Sequence, residues 1–369
     1  MTRFRTALDA GTIEFAPIDR RRFLALSATA SLAAAVGSNV RAQQAPEASV
    51  LASGWTAADI PDQTGRIVVI TGGNGAPKTI APGTFPPPGI YSGLGFQQAR
   101  ALAGKGAEVI IASRSAANAS EAIAVIKAEY PSAKIRFEQF DLADLASVKS
   151  FSDRLRTQVD HIDVLINNGG TAGTSDRRLN GAGLELVWAT NVVGHFSLTS
   201  HLFPLLQEGS NPRLVIMGSG AARRSTGFDD MQTEKSYTPM TAYVTSKAAL
   251  LLMARDLHRR SEASGWGLHV TATQPGTAKT FMPTSLGPDS EVGKVLSKEP
   301  DRFRPSELAV LPVLYAAAHP DAKSGDYYGP VNEQYQVGIS EDHVKKLDTP
   351  ETAARLYNAL IKATGQSIG

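Results

Sequence analysis

From Trp55 to the C-terminus, short runs of aliphatic and β-branched residues alternate with longer stretches whose apolar side chains recur at helical spacing. The short runs fall at 66–71, 108–112, 164–166, 213–217 and 269–273. The clearest helical stretch is 242–257, where Ala249, Leu250, Met253, Ala254 and Leu257 repeat at helical spacing. Strand–helix alternation of this kind predicts an α/β fold: a doubly wound parallel sheet with helices on both faces. With 369 residues, 42% of them hydrophobic, the chain can fill one large core. It has no cysteine, which excludes disulfides and thiol chemistry.

The first 42 residues have a different character. Asp19-Arg20-Arg21-Arg22-Phe23-Leu24 precedes a mildly apolar run, 25–36, and Val40-Arg41-Ala42 then puts small residues where a signal peptidase cuts. The order resembles a bacterial twin-arginine signal, whose pathway carries folded proteins. Residues 1–42 are therefore expected to be a signal peptide, 43–54 a linker and 55–369 one domain, with export to the periplasm. The alternative is a disordered basic leader on a cytoplasmic protein. The apolar run is too short for a membrane span, so no stable span is expected after cleavage. Residues 1–42 hold six arginines and three acidic residues, leaving 31 basic and 32 acidic side chains, a formal charge of −1. No basic field remains to argue for nucleic acid. No metal-ligand spacing stands out among the seven histidines, and no Gly-x-Ser-x-Gly nucleophile turn is visible.

The chemistry points to Tyr243-Val244-Thr245-Ser246-Lys247. Tyr243 and Lys247 are four apart on one helix face. A free phenol titrates near ~10, and a nearby ammonium lowers that value into general acid–base range. The spacing also arises by chance in many helices. A second signal follows the first strand: Thr71-Gly72-Gly73-Asn74 is interrupted by 75–91, which holds five prolines, and resumes at Ser92-Gly93-Leu94-Gly95. The ends of the insertion could meet, so that it bulges outward, or it could shut the site between the glycines. Its prolines disfavour a helix or a central strand. Without a ligand, the motif is simply a glycine turn.

Removing 75–91 leaves Thr-Gly-Gly-Asn-Ser-Gly-Leu-Gly, which looks like the Thr-Gly-x-x-x-Gly-x-Gly loop of short-chain dehydrogenases/reductases. Asn167-Asn168-Gly169-Gly170 resembles that family's Asn-Asn-Ala-Gly turn, with Gly169 in place of Ala. The ordered coincidence of these pieces with Asn191, Ser219, Tyr243 and Lys247, and with Gln274-Pro275-Gly276-Thr277, covers the chain from about Ser53 onward. The 24-residue interval from Ser219 to Tyr243 resembles the retinol-dehydrogenase-like branch.

The resemblance implies a Rossmann-type fold and hydride transfer between a nicotinamide and a carbonyl or alcohol carbon of a small molecule. Tyr243 would be the acid/base, and Lys247 would bind the nicotinamide ribose and depress the tyrosine pKa. Ser219 would hold the substrate oxygen and Asn191 a relay water, unless Asn191 is only a satisfied core amide. Thr71, Gly72, Asn74, Ser92, Gly93, Leu94 and Gly95 would cradle the diphosphate. Asp141 and Leu142 would lie beside the adenine, although Asp141 could simply cap the next helix. Asn168, Gly169, Pro275, Gly276 and Thr277, with Thr280, would complete the cofactor site. Ser113 stands where an acidic residue would bind the ribose of NAD, and Arg114 suits an added phosphate, so NADP(H) is expected over NAD(H).

Residues 281–305 read as a flap over a moderately apolar substrate. Homodimers or homotetramers through sheet-flanking helices are the family habit. Two other functions stay open: an extended-family epimerase or dehydratase, and a non-catalytic binding protein disabled by the insertion.

Overall fold

The computed structural model describes residues 50–52, 54–332 and 334–369; the signal-peptide reading of 1–42 lies outside them. Among the described residues, eleven strands follow in chain order: β1 Val50–Ala52, β2 Ile67–Thr71, β3 Lys78–Ile80, β4 Gly89–Tyr91, β5 Glu108–Ser113, β6 Ile135–Gln139, β7 Val164–Asn167, β8 Arg213–Met217, β9 His269–Thr273, β10 Tyr327–Pro330 and β11 Val337–Ile339. The helices used below are α1 Leu94–Gly104, α2 Ala116–Glu129, α3 Leu145–Arg156, α4 Gly194–Gln207, α5 Pro239–Ser264, α6 Phe281–Ser285, α7 Glu291–Lys298, α8 Leu311–Ala318 and α9 Pro350–Thr364.

Nine of these strands form one sheet in the order β1-β11-β10-β9-β8-β7-β2-β5-β6. Pairing is parallel from β10 through to β6, and antiparallel at β10–β11 and β11–β1. This is the Rossmann-type doubly wound sheet expected. The stretch read as a linker, 43–54, is not all linker, because β1 pairs with β11 through Val50 and Gly338.

Alternate strand residues divide between two cores, as a period of two requires. Val69, Ile110, Leu165, Leu214 and Ile216 face one core with α3, α4, α5 and α9. Val68, Ile70, Val109, Ile111, Val164, Ile166 and Val215 face the other with α1, α2 and α8. Both faces of the sheet are therefore dry, which is why its strands read as continuous apolar runs.

The chain runs from β2 outward to β5 and β6, then returns to β7 on the other side of β2. The strand order reverses there, and a crevice opens at the carboxyl ends of the strands on both sides of such a point. The loops after β2, β7, β8 and β9 all leave from that edge. Among the described residues, no helix is long and apolar enough to cross a membrane.

The insertion folds as a separate two-stranded ribbon, β3 against β4, outside the main sheet. Its neck is closed by Gly93 N–H donating to the Gly75 carbonyl at 2.8 Å. A Cβ on Gly75 would lie 2.9 Å from Gly93 Cα, so only glycines allow the two ends to touch this closely. The flap region resolves into α6, α7 and a 3-10 turn, Pro300–Arg302.

Candidate active site

α5 starts earlier than its apolar pattern suggests. Thr238 caps it, accepting from Thr241 N–H at 3.0 Å, and Pro239 takes the first turn, where its missing N–H costs nothing. The buried Ala248, Ala249, Leu252 and Met253 press the helix onto the sheet. That packing carries Lys247 inward, 2% exposed, where its Nζ donates to the Met217 carbonyl at the end of β8, 2.8 Å away. Nζ sits 5.8 Å from the Tyr243 ring centroid. Two residues beyond Met217, the Ser219 hydroxyl caps the turn Gly220–Arg224, accepting from Ala221 N–H at 3.2 Å.

The electrostatics correct one expectation. Lys247 was expected to lower the Tyr243 pKa. Instead, burial raises the phenol above its ordinary value, and a hydrogen bond from Ser219 opposes that rise. Burial also lowers Lys247 to about 8. Lys247 is desolvated, and its ammonium is spent on the Met217 carbonyl rather than on the phenol oxygen of the half-buried Tyr243.

Asn191 lies in a π-helical turn, Ala189–Val193, that leads into α4. Its Oδ1 accepts from Thr171 N–H at 2.8 Å, and its Nδ2 donates to the Thr171 carbonyl and to Ser246 Oγ, each at 3.0 Å. Ser246 in turn donates to the Tyr243 carbonyl at 2.8 Å. The amide is fully engaged and does not line the cavity described below. Its side chain ties the turn after β7 to the tyrosine helix.

His195, which the sequence patterns do not single out, supports the same region. Its Nδ1 is 2.8 Å from the Asn191 carbonyl, which can only accept, so Nδ1 carries the proton. Nε2 must then accept from the Thr71 hydroxyl, 3.0 Å away. Thr71 Oγ1 in turn accepts from Asn168 N–H at 2.9 Å and Gly169 N–H at 2.7 Å. Burial holds His195 near a pKa of about 4, so it stays neutral and this proton arrangement persists at neutral pH. The one available signal was an Asn–His pair four apart on a helix.

A cavity of about 500 Å³ runs along the carboxyl edge of the sheet. Gly72, Asn74, Gly93, Leu94 and Gly95 line one part, and Arg114, Asp141 and Leu142 another. Asn168, Gly169, Ser219, Tyr243, Lys247, Pro275, Gly276 and Thr280 also line it. Thr71, Ser92, Asn191 and Thr277 do not. Thr71 and Asn191 sit behind the wall. Ser92 turns away to Ser306 Oγ at 2.5 Å and Gln97. Thr277 exchanges two bonds with the Tyr335 hydroxyl. Asp141 is not the cap of α3; Asp144 is.

The cavity suits a dinucleotide on two structural grounds. A Cβ on Gly95 would meet the Gly72 carbonyl oxygen at 2.6 Å and Asn168 Nδ2 at 2.7 Å, so the bare backbone is what leaves the cradle open. The buried Ser113 Oγ, at the adenosine end, has no protein partner. A Cβ on Gly169, where the family pattern has alanine, would lie 2.9 Å from Leu142 Cδ1, the movable end of a side chain.

None of residues 76–91 lines the cavity, so the insertion bulges outward and leaves the site open. Ile80 and Gly89 are paired in the ribbon. Replacing 81–88 by Asn-Gly should therefore close a two-residue hairpin and change NADPH affinity by no more than about threefold, as for other surface changes. A loss of binding by calorimetry would make the ribbon part of the site.

Residues 88–291 match the short chain dehydrogenase family model. The chain belongs to the short-chain dehydrogenase family. The match starts at the downstream end of the insertion, beyond β2 and the first glycines. The chain is 30% identical to human retinol dehydrogenase 13 over 80% of its own length and 89% of that protein's. It is 31% identical to a Colletotrichum higginsianum short chain dehydrogenase/reductase, over 61% of its own length and only 57% of that longer protein. In structure it resembles an uncharacterized Mycobacterium paratuberculosis protein, with a TM-score of 0.66, 29% identity, and coverage of 86% of this chain and 99% of that one. As a family member, this short-chain dehydrogenase is an oxidoreductase acting on alcohol or carbonyl groups with NAD(P).

Proposed function

We propose that the chain transfers a hydride between NADP(H) and a moderately apolar carbonyl or alcohol, with Tyr243 as the acid/base. One observation carries the reading. Ser219 and Tyr243 line both the glycine-walled cavity and a second, largely apolar cavity of about 390 Å³. Their hydroxyls therefore stand where a cofactor on one side and a substrate on the other would meet.

When bound, the nicotinamide supplies or accepts the hydride. In the reducing direction, Tyr243 gives its proton to the substrate oxygen and Ser219 holds that oxygen by a hydrogen bond. In the oxidising direction, the phenol oxygen takes the proton back. Lys247 anchors the end of β8 and supplies the nearest cation to the ring. Backbone at Gly72, Gly93 and Gly95 would receive the diphosphate.

The preference for NADP(H) rests on the end of β5. No carboxylate stands there, the Ser113 hydroxyl is unpartnered, and the exposed Arg114 lines the cavity. Calorimetry with NADPH and NADH is the test. Arg114→Ala should weaken NADPH by about tenfold, the scale of a charge-assisted contact, and leave NADH nearly unchanged. Equal loss for both cofactors would defeat the preference.

We also read residues 1–42 as a twin-arginine signal and the mature chain as periplasmic. Cofactor would then be bound before export and held without exchange. Release of cofactor on simple dialysis of the purified protein would count against this.

A further inference from the structure

The second cavity carries information about the substrate beyond its apolar character. Met240 at the start of α5, Val292 and Val295 on α7, and Leu286 and Phe303 from the flap form its walls. Three guanidiniums, Arg223, Arg224 and Arg302, also line it, against one carboxylate, Glu291. Apart from these charges and the polar Ser219, Tyr243, Gln274 and Thr277, the lining is apolar, and the excess of positive charge needs an explanation.

Two of the arginines are already paired. Arg224 meets Glu291 at 3.5 Å, tying α7 to the turn after Ser219. Arg302 meets Glu299 at 3.4 Å. Arg223 makes no ion pair among the described residues. It is exposed, but its head is not directed wholly outward: Nη1 lies 3.7 Å from where a Cβ on Gly220 would be, beside the residue that follows Ser219. The polar atoms sharing that spot are Gln274 Oε1 and His343 Nε2. Neither is an anion: burial, with Arg223 itself, keeps His343 below its ordinary pKa against the opposing pull of Glu341 and Asp342, and neither carboxylate forms an ion pair with Arg223. Arg223 thus presents an uncommitted guanidinium, a fork suited to a carboxylate, at the reacting end of an apolar cavity.

We infer that the substrate is an amphiphilic carboxylate, an oxo- or hydroxy-acid whose hydrocarbon chain fills the flap cavity and whose carboxylate is held by Arg223. The inference rests on the oxidoreductase reading for the reacting group, but the recognition of the anion can be tested separately.

Calorimetric titration of the full-length protein with decanoate and with decanol isolates recognition from catalysis. Decanoate should bind at least about tenfold more tightly, the scale of a charge-assisted hydrogen bond. Arg223→Gln should remove that preference, and Arg302→Gln, with its guanidinium already paired, should keep it. Equal binding of the two ligands, or a preference that survives Arg223→Gln, would overturn the inference. Turnover with NADPH separates the two readings: with the guanidinium beside the reacting end, 3-oxodecanoate should be reduced with higher kcat/KM than 2-nonanone, the same ketone without the carboxylate. Faster or equal reduction of 2-nonanone would sink the carboxylate assignment and leave the oxidoreductase standing. A decanoate preference that depends on Arg223, with neither ketone reduced, would support anion recognition and tell against the hydride-transfer reading.

Discussion

Tyr243→Phe should lower kcat/KM by about 10² to 10⁴, the usual contribution of a positioned acid/base, while NADPH still binds. Phenylalanine keeps the ring, so the packing of α5 and the position of Lys247, set by the Met217 carbonyl, should survive. Only the hydroxyl and its hydrogen bond with Ser219 are lost. The deficit amounts to roughly 3–5 kcal/mol of barrier and should appear in kcat rather than in cofactor affinity. Calorimetry with NADPH beside steady-state kinetics on a carbonyl substrate separates the two. An enzyme that binds NADPH normally and keeps full activity without the hydroxyl would remove Tyr243 from proton transfer.

The sheet was legible because β2, β5, β7 and β8 are buried on both faces and so appear as uninterrupted aliphatic runs. The same reasoning failed for β1. A three-residue strand has no periodicity to read, and its partner, β11, lies near the other end of the chain. The glycine loop was legible in two halves, and its prolines excluded a helix. That the halves meet depends on the Gly75–Gly93 contact, which no local pattern encodes. Asn191 matched a motif, but its three side-chain bonds, to the Thr171 backbone and to Ser246, no local pattern encodes. His195 escaped because its partner, Thr71, is 124 positions away. The tyrosine–lysine pair was found by spacing, but spacing says nothing about burial. Burial raises the phenol, where the spacing implied a lowered one, and takes the ammonium down with it.

Burial of Lys247 has a measurable consequence for stability. In the fold its pKa falls from 10.5 to about 8. Between those values the unfolded chain holds a proton that the folded chain has released. Stability rises with pH wherever the unfolded state binds more protons, so the cofactor-free protein should gain stability from about pH 8 toward pH 10. A pKa moved by one pH unit corresponds to about 1.36 kcal/mol, and the full gain is roughly 3 kcal/mol. Below pH 8 both states are protonated and this contribution is flat. Other groups act in other windows. His195, lowered to about 4, acts on the acid side, and Arg213, lowered to about 10, above the lysine's range. Tyr243, raised by burial, has the opposite sign: unfolding releases its proton above about pH 10, so it costs stability there. The rise should therefore be confined between about pH 8 and 10. Urea unfolding of the wild type and of Lys247→Met across this range makes the comparison, because methionine fills similar space without a charge to desolvate. The wild-type curve should climb toward the variant's as pH increases. Parallel curves would mean that Lys247 stays fully protonated in the fold across this range, its charge held by the Met217 carbonyl.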